Sequence, residues 1–177
     1  MISLFNRLRK RLWREDGTAT MEFVLMVPVF LTIFMASFES GLLMVRQILL
    51  DQSVDESMRE LRLGHMANVT EDSLRTQICS LTIVFSNCKA NLMIQLDRVS
   101  TTTWAIPGTP TQCINRNDVI APVVALHIGQ QNDLMLVRVC VIQNAMFPTT
   151  GIGLGLSVDS QGGYALISRT AFVVEPT

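Results

Sequence analysis

Gly17-Thr18-Ala19-Thr20-Met21-Glu22-Phe23 stands where the chain changes character, and the apolar run that it opens, Phe23 to Phe38, decides the fold. Before it lies a basic leader with Arg7, Arg9, Lys10, Arg11 and Arg14. The run itself carries no charge and alone falls just short of the roughly 18–20 residues that cross a bilayer. Met21 to Val45 is long enough, but it includes Glu22 and Glu39. Glu22 is placed near the edge, where a carboxylate still reaches water. Glu39, followed by Ser40-Gly41, is expected deep in the span, at a cost on the order of 2–3 kcal/mol on insertion scales. Pro28 is expected to kink a membrane helix rather than break it, because neighbouring groups can take up the freed carbonyl.

The 177 residues suffice for one small domain plus an anchor. The net charge of −1 is unevenly spread. Residues 1–17 hold five basic and two acidic groups, and the remainder nine basic and thirteen acidic. A basic end on a mildly acidic body argues against nucleic acid as partner. It fits a single-pass membrane protein with residues 1–17 in the cytoplasm and the chain beyond about residue 46 outside. A cleaved secretory signal is the main rival. Its apolar region is shorter, however, and Ala36-Ser37-Phe38 matches a signal cleavage site poorly.

Beyond the membrane, Ile48, Leu49, Val54, Met58 and Leu61 recur at helical spacing, so the helix continues as a stalk and ends near Gly64. A second helix is expected from about Glu71 to Phe85, capped by Thr70 with Ser73 or by Asn68. Then the pattern changes to strands at Leu92–Val99, Val119–Ile128, Leu134–Gln143 and Tyr164–Val174, with Pro122 marking an edge or a strand start. Residues 100–118 and Pro148–Gly163 read as loops, the second a flexible connection between strands. Its glycines are not a phosphate loop, since no Lys-Ser/Thr follows. The fold class is α+β: a long transmembrane helix continuing into a stalk, a short second helix, and a small antiparallel sheet. The organisation is a leader over 1–17, transmembrane and stalk helix over 18–64, and an extracytoplasmic domain over 65–177.

Cys79, Cys88, Cys113 and Cys140 all fall in the part expected outside, where oxidation is permitted. Four cysteines allow three full pairings, and Cys79–Cys88 with Cys113–Cys140 is preferred. Metal binding is the alternative, but no Cys-x-x-Cys occurs and the histidines, His65 and His127, stand alone. Neither a Ser, His and acid motif nor Gly-x-Ser-x-Gly is present. The sequence therefore points to no catalytic residue, metal or cofactor, and to no enzyme.

Gly17, Glu22-Phe23, Pro28 and Glu39-Ser40-Gly41 together resemble the TadE-like proteins, minor pilins or pseudopilins of tight-adherence (Tad/Flp) pilus systems. The resemblance is sharpest over residues 15–46 and runs on loosely through Cys79 and Cys88 to the Arg169–Glu175 segment. It implies a bacterial inner-membrane protein with a periplasmic outer domain, cut after Gly17 by a prepilin peptidase. Thr18 becomes the first residue and Glu22 the fifth. It also implies other pilins and the pilus assembly machinery as partners, with assembly and adhesion as the setting. Thr18 departs from the Phe that starts ordinary type IV pilins, and the body after residue 80 is too large for the short Flp pilin. Physically, the new amine at Thr18 is cationic and Glu22 anionic. Pairing them, within one chain or between neighbours, lowers the cost of burying the carboxylate. Two other readings compete: an uncleaved single-pass interaction protein, and a secreted domain starting near residue 37.

Overall fold

The computed structural model describes residues 18–66, 69–106, 108, 110–117 and 129–175. Helix α1 spans Thr18–Arg62 as 45 continuous residues, about 67 Å at 1.5 Å per residue. It runs through Pro28. Its end is a Schellman turn on Gly64, which takes φ 70°. His65 N–H reaches back to the Glu60 carbonyl at 3.2 Å, and Gly64 N–H to that of Leu61 at 3.2 Å.

Helix α2 is Glu71–Leu81. Thr70 and Ser73 form a reciprocal capping box, with Ser73 N–H on Thr70 Oγ1 at 3.1 Å and Thr70 N–H on Ser73 Oγ at 2.9 Å. Asn68, the other candidate cap, lies outside the described residues. The helix stops four residues before the expected Phe85. Thr82-Ile83-Val84 is a β-branched run, a poor helix former, and the Thr82 hydroxyl bonds the Ile78 carbonyl instead of continuing the turn. After Asn87, which takes a positive φ, a single turn forms as α3, Cys88–Asn91.

Strands β1 (Leu92–Val99), β2 (Leu134–Asn144) and β3 (Gly163–Val173) form an antiparallel sheet in the order β1-β2-β3. The expected strand over Val119–Ile128 and its Pro122 lie outside the described residues. The described parts of 100–118 hold turns without helix or strand. The Pro148–Gly163 connection differs from the expected open loop. It carries a short helix α4, Gly151–Gly155, and a bridge between Val158 and Tyr164. Gly153 allows this turn, since a Cβ there would meet the Phe147 carbonyl oxygen and Pro148.

Alternation sets the two faces of the sheet. Leu92, Ile94 and Leu96 align with Val141, Val139 and Val137, and pack with Leu166 and Tyr164 against α1 and α2. The helices contribute Leu50, Val54 and Met58, one turn apart, with Leu74 and Ile78. The buried seam of the stalk keeps the expected Val54 and Met58, with Leu61 packed against it, but Ile48 is exposed. It lies two residues from Leu50, about 200° around the helix, on the side away from the sheet. On the opposite sheet face, Met93, Cys140 and Ile142 are buried. Gln112 N–H donates to Gln95 Oε1 at 3.1 Å, bringing the 110–117 segment over that face.

Candidate membrane anchor and assembly helix

Among the described residues, α1 is the one helix long and apolar enough to cross a membrane. Its first half stands clear of the rest of the molecule. From Met21 to Phe38 most side chains are exposed, including Phe23, Leu25, Phe30 and Phe34. At 1.5 Å per residue this stretch is about 27 Å long, close to the ~30 Å hydrocarbon thickness of a bilayer. Its few hydroxyls are satisfied within the helix. Thr32 Oγ1 donates to the Val29 carbonyl at 2.8 Å and Ser37 Oγ to that of Ile33 at 2.9 Å. Such back-bonding leaves no hydroxyl proton bare in lipid.

Glu39, read from the sequence as deep in the span, ends this exposed stretch. It is fully buried in protein. Its carboxylate accepts the backbone N–H of Met146 at 3.0 Å and that of Phe147 at 3.0 Å. The Phe38 and Phe147 rings meet edge to face, 6.1 Å apart. The loop after β2 thus caps the acid with two amide donors, and a carboxylate held this way is charge-assisted rather than stranded. The exposed apolar stretch thus coincides with the charge-free run plus Met21 and Glu22, and protein covers the helix from Glu39 onward.

Two turns on, Arg46 faces the same way. Its guanidinium donates to the Asn144 carbonyl at 3.0 Å and to the Tyr164 hydroxyl, and sits 5.9 Å from the Tyr164 ring centroid. Burial raises the Tyr164 phenol pKa, opposed by the bond and charge of Arg46. Gln47 adds a bond from its amide to the Ile167 carbonyl at 3.1 Å. At the far end of α1, Arg62 pairs with Glu175 at 2.6 Å. The upper half of the helix is therefore fastened to both ends of β3.

The cysteines form Cys79–Cys88 and Cys113–Cys140, with Cα atoms 5.8 and 5.3 Å apart. The first ties α2 to α3. The second ties the 110–117 segment to the central strand. Loops of these lengths contribute on the order of 3 kcal/mol each. A further tether was not visible in the sequence. Arg116 holds Asp159 through two bonds, at 2.7 and 2.6 Å, and Asp159 also accepts Gly163 N–H at 2.8 Å. The Arg116 bond, aided by the Gly163 and Gln161 amides, lowers the Asp159 pKa from 3.8 to about 2 against the effect of burial. Gly163 leaves room for this pair, because a Cβ there would displace the Arg116 guanidinium and press on Ile142.

The remaining sequence candidates are dispersed. Gly17 lies outside the described residues, and Thr18 opens α1. Glu22 and Phe23 are exposed on its first turns, about 25 Å along the axis from Glu39. His65 stands 3.0 Å from Glu60 at the surface, and His127 lies outside the described residues. No cluster of metal-ligating side chains occurs among the described residues.

Residues 17–59 match the family model described as TadE-like protein. Over that segment, which is the exposed span plus most of the stalk, the chain is similar to the pilin-like proteins associated with Tad pilus systems. No curated protein and no solved structure matches the chain.

Proposed function

We propose that a chain with this TadE-like N-terminal segment is a minor pilin, or pseudopilin, that contributes to assembling or anchoring a Tad/Flp-type pilus. In this reading a prepilin peptidase cuts between Gly17 and Thr18 on the cytoplasmic side of the bacterial inner membrane. The outer domain then stands in the periplasm, and its role is structural. The observation that carries the reading is the family match beginning at Gly17 and running along α1, whose apolar first half is uncovered. Lipid covers such a surface in the membrane, and neighbouring subunits and assembly components would replace it during assembly.

The chemistry at the start of the helix supports the same role. Cleavage would create a cationic amine at Thr18, one turn from the exposed Glu22 carboxylate. Within one chain or between neighbours, pairing the two reduces the cost of placing Glu22 at an apolar boundary and favours one packing register. Gly17, lacking a side chain, suits an extended conformation in a protease groove. The basic leader orients the chain with its N-terminus in the cytoplasm.

The test is a Gly17→Trp variant expressed beside the peptidase. A longer, membrane-bound precursor is expected to accumulate. Normal cutting of that variant would remove Gly17 from the account and favour an uncleaved single-pass interaction protein.

A further inference from the structure

Ala145 to Val158 contains no charged residue. The segment leaves β2 beside Arg46, which holds the Asn144 carbonyl. At Met146 and Phe147 it has descended to Glu39. By Leu156 and Ser157 it is back beside Leu43, Met44 and Gln47, with which it lines a shared cleft. Between these points α4 packs on α1. Arg46 and Glu39 are seven residues apart, about 10 Å along the helix axis. The segment therefore runs down α1 toward the apolar span, turns, and climbs back to β3.

Large apolar side chains face outward on this segment, beside the exposed Thr149. Leu154 is 72% exposed and Met146 53%, next to Phe38 at 50%. A single exposed leucine means little. The loop, however, adjoins the uncovered surface of residues 21–38, since Phe147 meets Phe38 edge to face, and that surface exceeds what a soluble protein carries. Its occupant follows from that adjacency: whatever solvates Phe38 also lies beside the loop held at Glu39.

We propose that the 145–156 loop is a membrane-dipping element, with Met146 and Leu154 seated in the outer-leaflet interface beside the exit of α1. This rests on the reading that α1 spans the bilayer. Apolar side chains of interfacial elements reach about 5–10 Å into the headgroup and acyl boundary, where water still serves the backbone of an irregular loop. With Glu39 holding the loop to α1, the two contacts fix the depth and tilt of the outer domain on the membrane.

All four native cysteines are in disulfides, so an added cysteine is uniquely reactive. An environment-sensitive fluorophore would be placed on Leu154→Cys, on Phe30→Cys within the span, and on Trp104→Cys, an exposed residue of the outer domain. Each full-length variant would be reconstituted in phosphatidylethanolamine–phosphatidylglycerol vesicles carrying nitroxide lipids labelled at shallow or deep acyl positions. The expected result is deep quenching at 30, shallow quenching at 154 several-fold above that at 104, and free iodide access at 104 alone. Quenching at 30 with full iodide access at 154 would overturn the loop proposal and leave the span intact. Shielding of 154 from iodide without lipid quenching would also overturn it, by showing protein over the loop. Absence of quenching at 30 would remove the span and the loop proposal together.

Discussion

The Phe147 backbone N–H donates to the Glu39 carboxylate at 3.0 Å, across 108 residues of chain. Glu39 lies at the upper end of the uncovered half of α1 and Phe147 in the loop that follows the central strand. Their bond marks where the exposed half of α1 gives way to the half covered by protein. An acid that would be a liability in lipid becomes the point on which the sheet is seated.

Glu39→Ala is expected to leave two amide donors near Met146 and Phe147 without their acceptor. Each such loss costs about 1–3 kcal/mol, so the outer domain of the full chain in detergent should be destabilised by about 2–6 kcal/mol. Glu39→Gln keeps one acceptor oxygen and should lose less. Thermal unfolding followed by near-ultraviolet circular dichroism measures both. Equal stability of parent and Glu39→Ala would show that the loop does not depend on this bond.

Arg46→Lys is not a conservative change at this site. The guanidinium serves the Asn144 carbonyl and the Tyr164 hydroxyl together and stands beside the Tyr164 ring. Lysine supplies a point charge without the planar fork. A loss of about 1–2 kcal/mol is expected for it and more for Arg46→Ala, measured by denaturant midpoint.

Much of this architecture was readable from the residues, and the gaps have physical causes. The stop at Gly64, the cap at Thr70 and the strands at 92–99, 134–144 and 163–173 follow from local chemistry, which acts within a few residues. The burial of Glu39 was not legible because its donors are backbone amides far away in sequence, and amides carry no residue signature. A signal did exist: Glu39 and Arg46 are seven residues apart, two turns, so they share one face of the helix. A stripe holding an acid and a base fits a protein-covered face better than lipid. The α4 turn was missed because glycine-rich sequence reads as loop, and its packing on α1, Phe147 and Pro148 comes from residues the local pattern does not show.

Asp159 gives the outer domain an acid-sensitive tether. Its pKa is about 2 in the folded chain against an ordinary 3.8. A depressed carboxylate stabilises the fold above the unfolded value, and that contribution is lost as pH falls through about 3.8 toward 2. With the side chain about a quarter exposed, the contribution is on the order of 1–2 kcal/mol after solvent screening. Asp159→Asn should be less stable than the parent at pH 7, with the two converging near pH 2. A constant gap across that range would contradict the assignment.

Glu22→Ala is expected to leave cleavage and membrane insertion intact and to impair incorporation into an assembly. The carboxylate disfavours burial, so it is not needed to hold the helix in lipid, and the proposed partner is the amine of Thr18. Glu22→Gln keeps the size and removes the charge, which separates ion pairing from hydrogen bonding. Pili assembled as well by both variants as by the parent would reduce Glu22 to an interfacial polar residue.

The central claim is that this chain enters a pilus pathway through cleavage at the head of α1. Its most direct test is N-terminal sequencing of the protein extracted from membranes of cells that contain its cognate prepilin peptidase. The account predicts Thr18-Ala-Thr-Met-Glu22 as the first residues, and an uncut chain in cells lacking the peptidase. A chain that keeps residues 1–17 in both strains, or one that starts near residue 37, would contradict it.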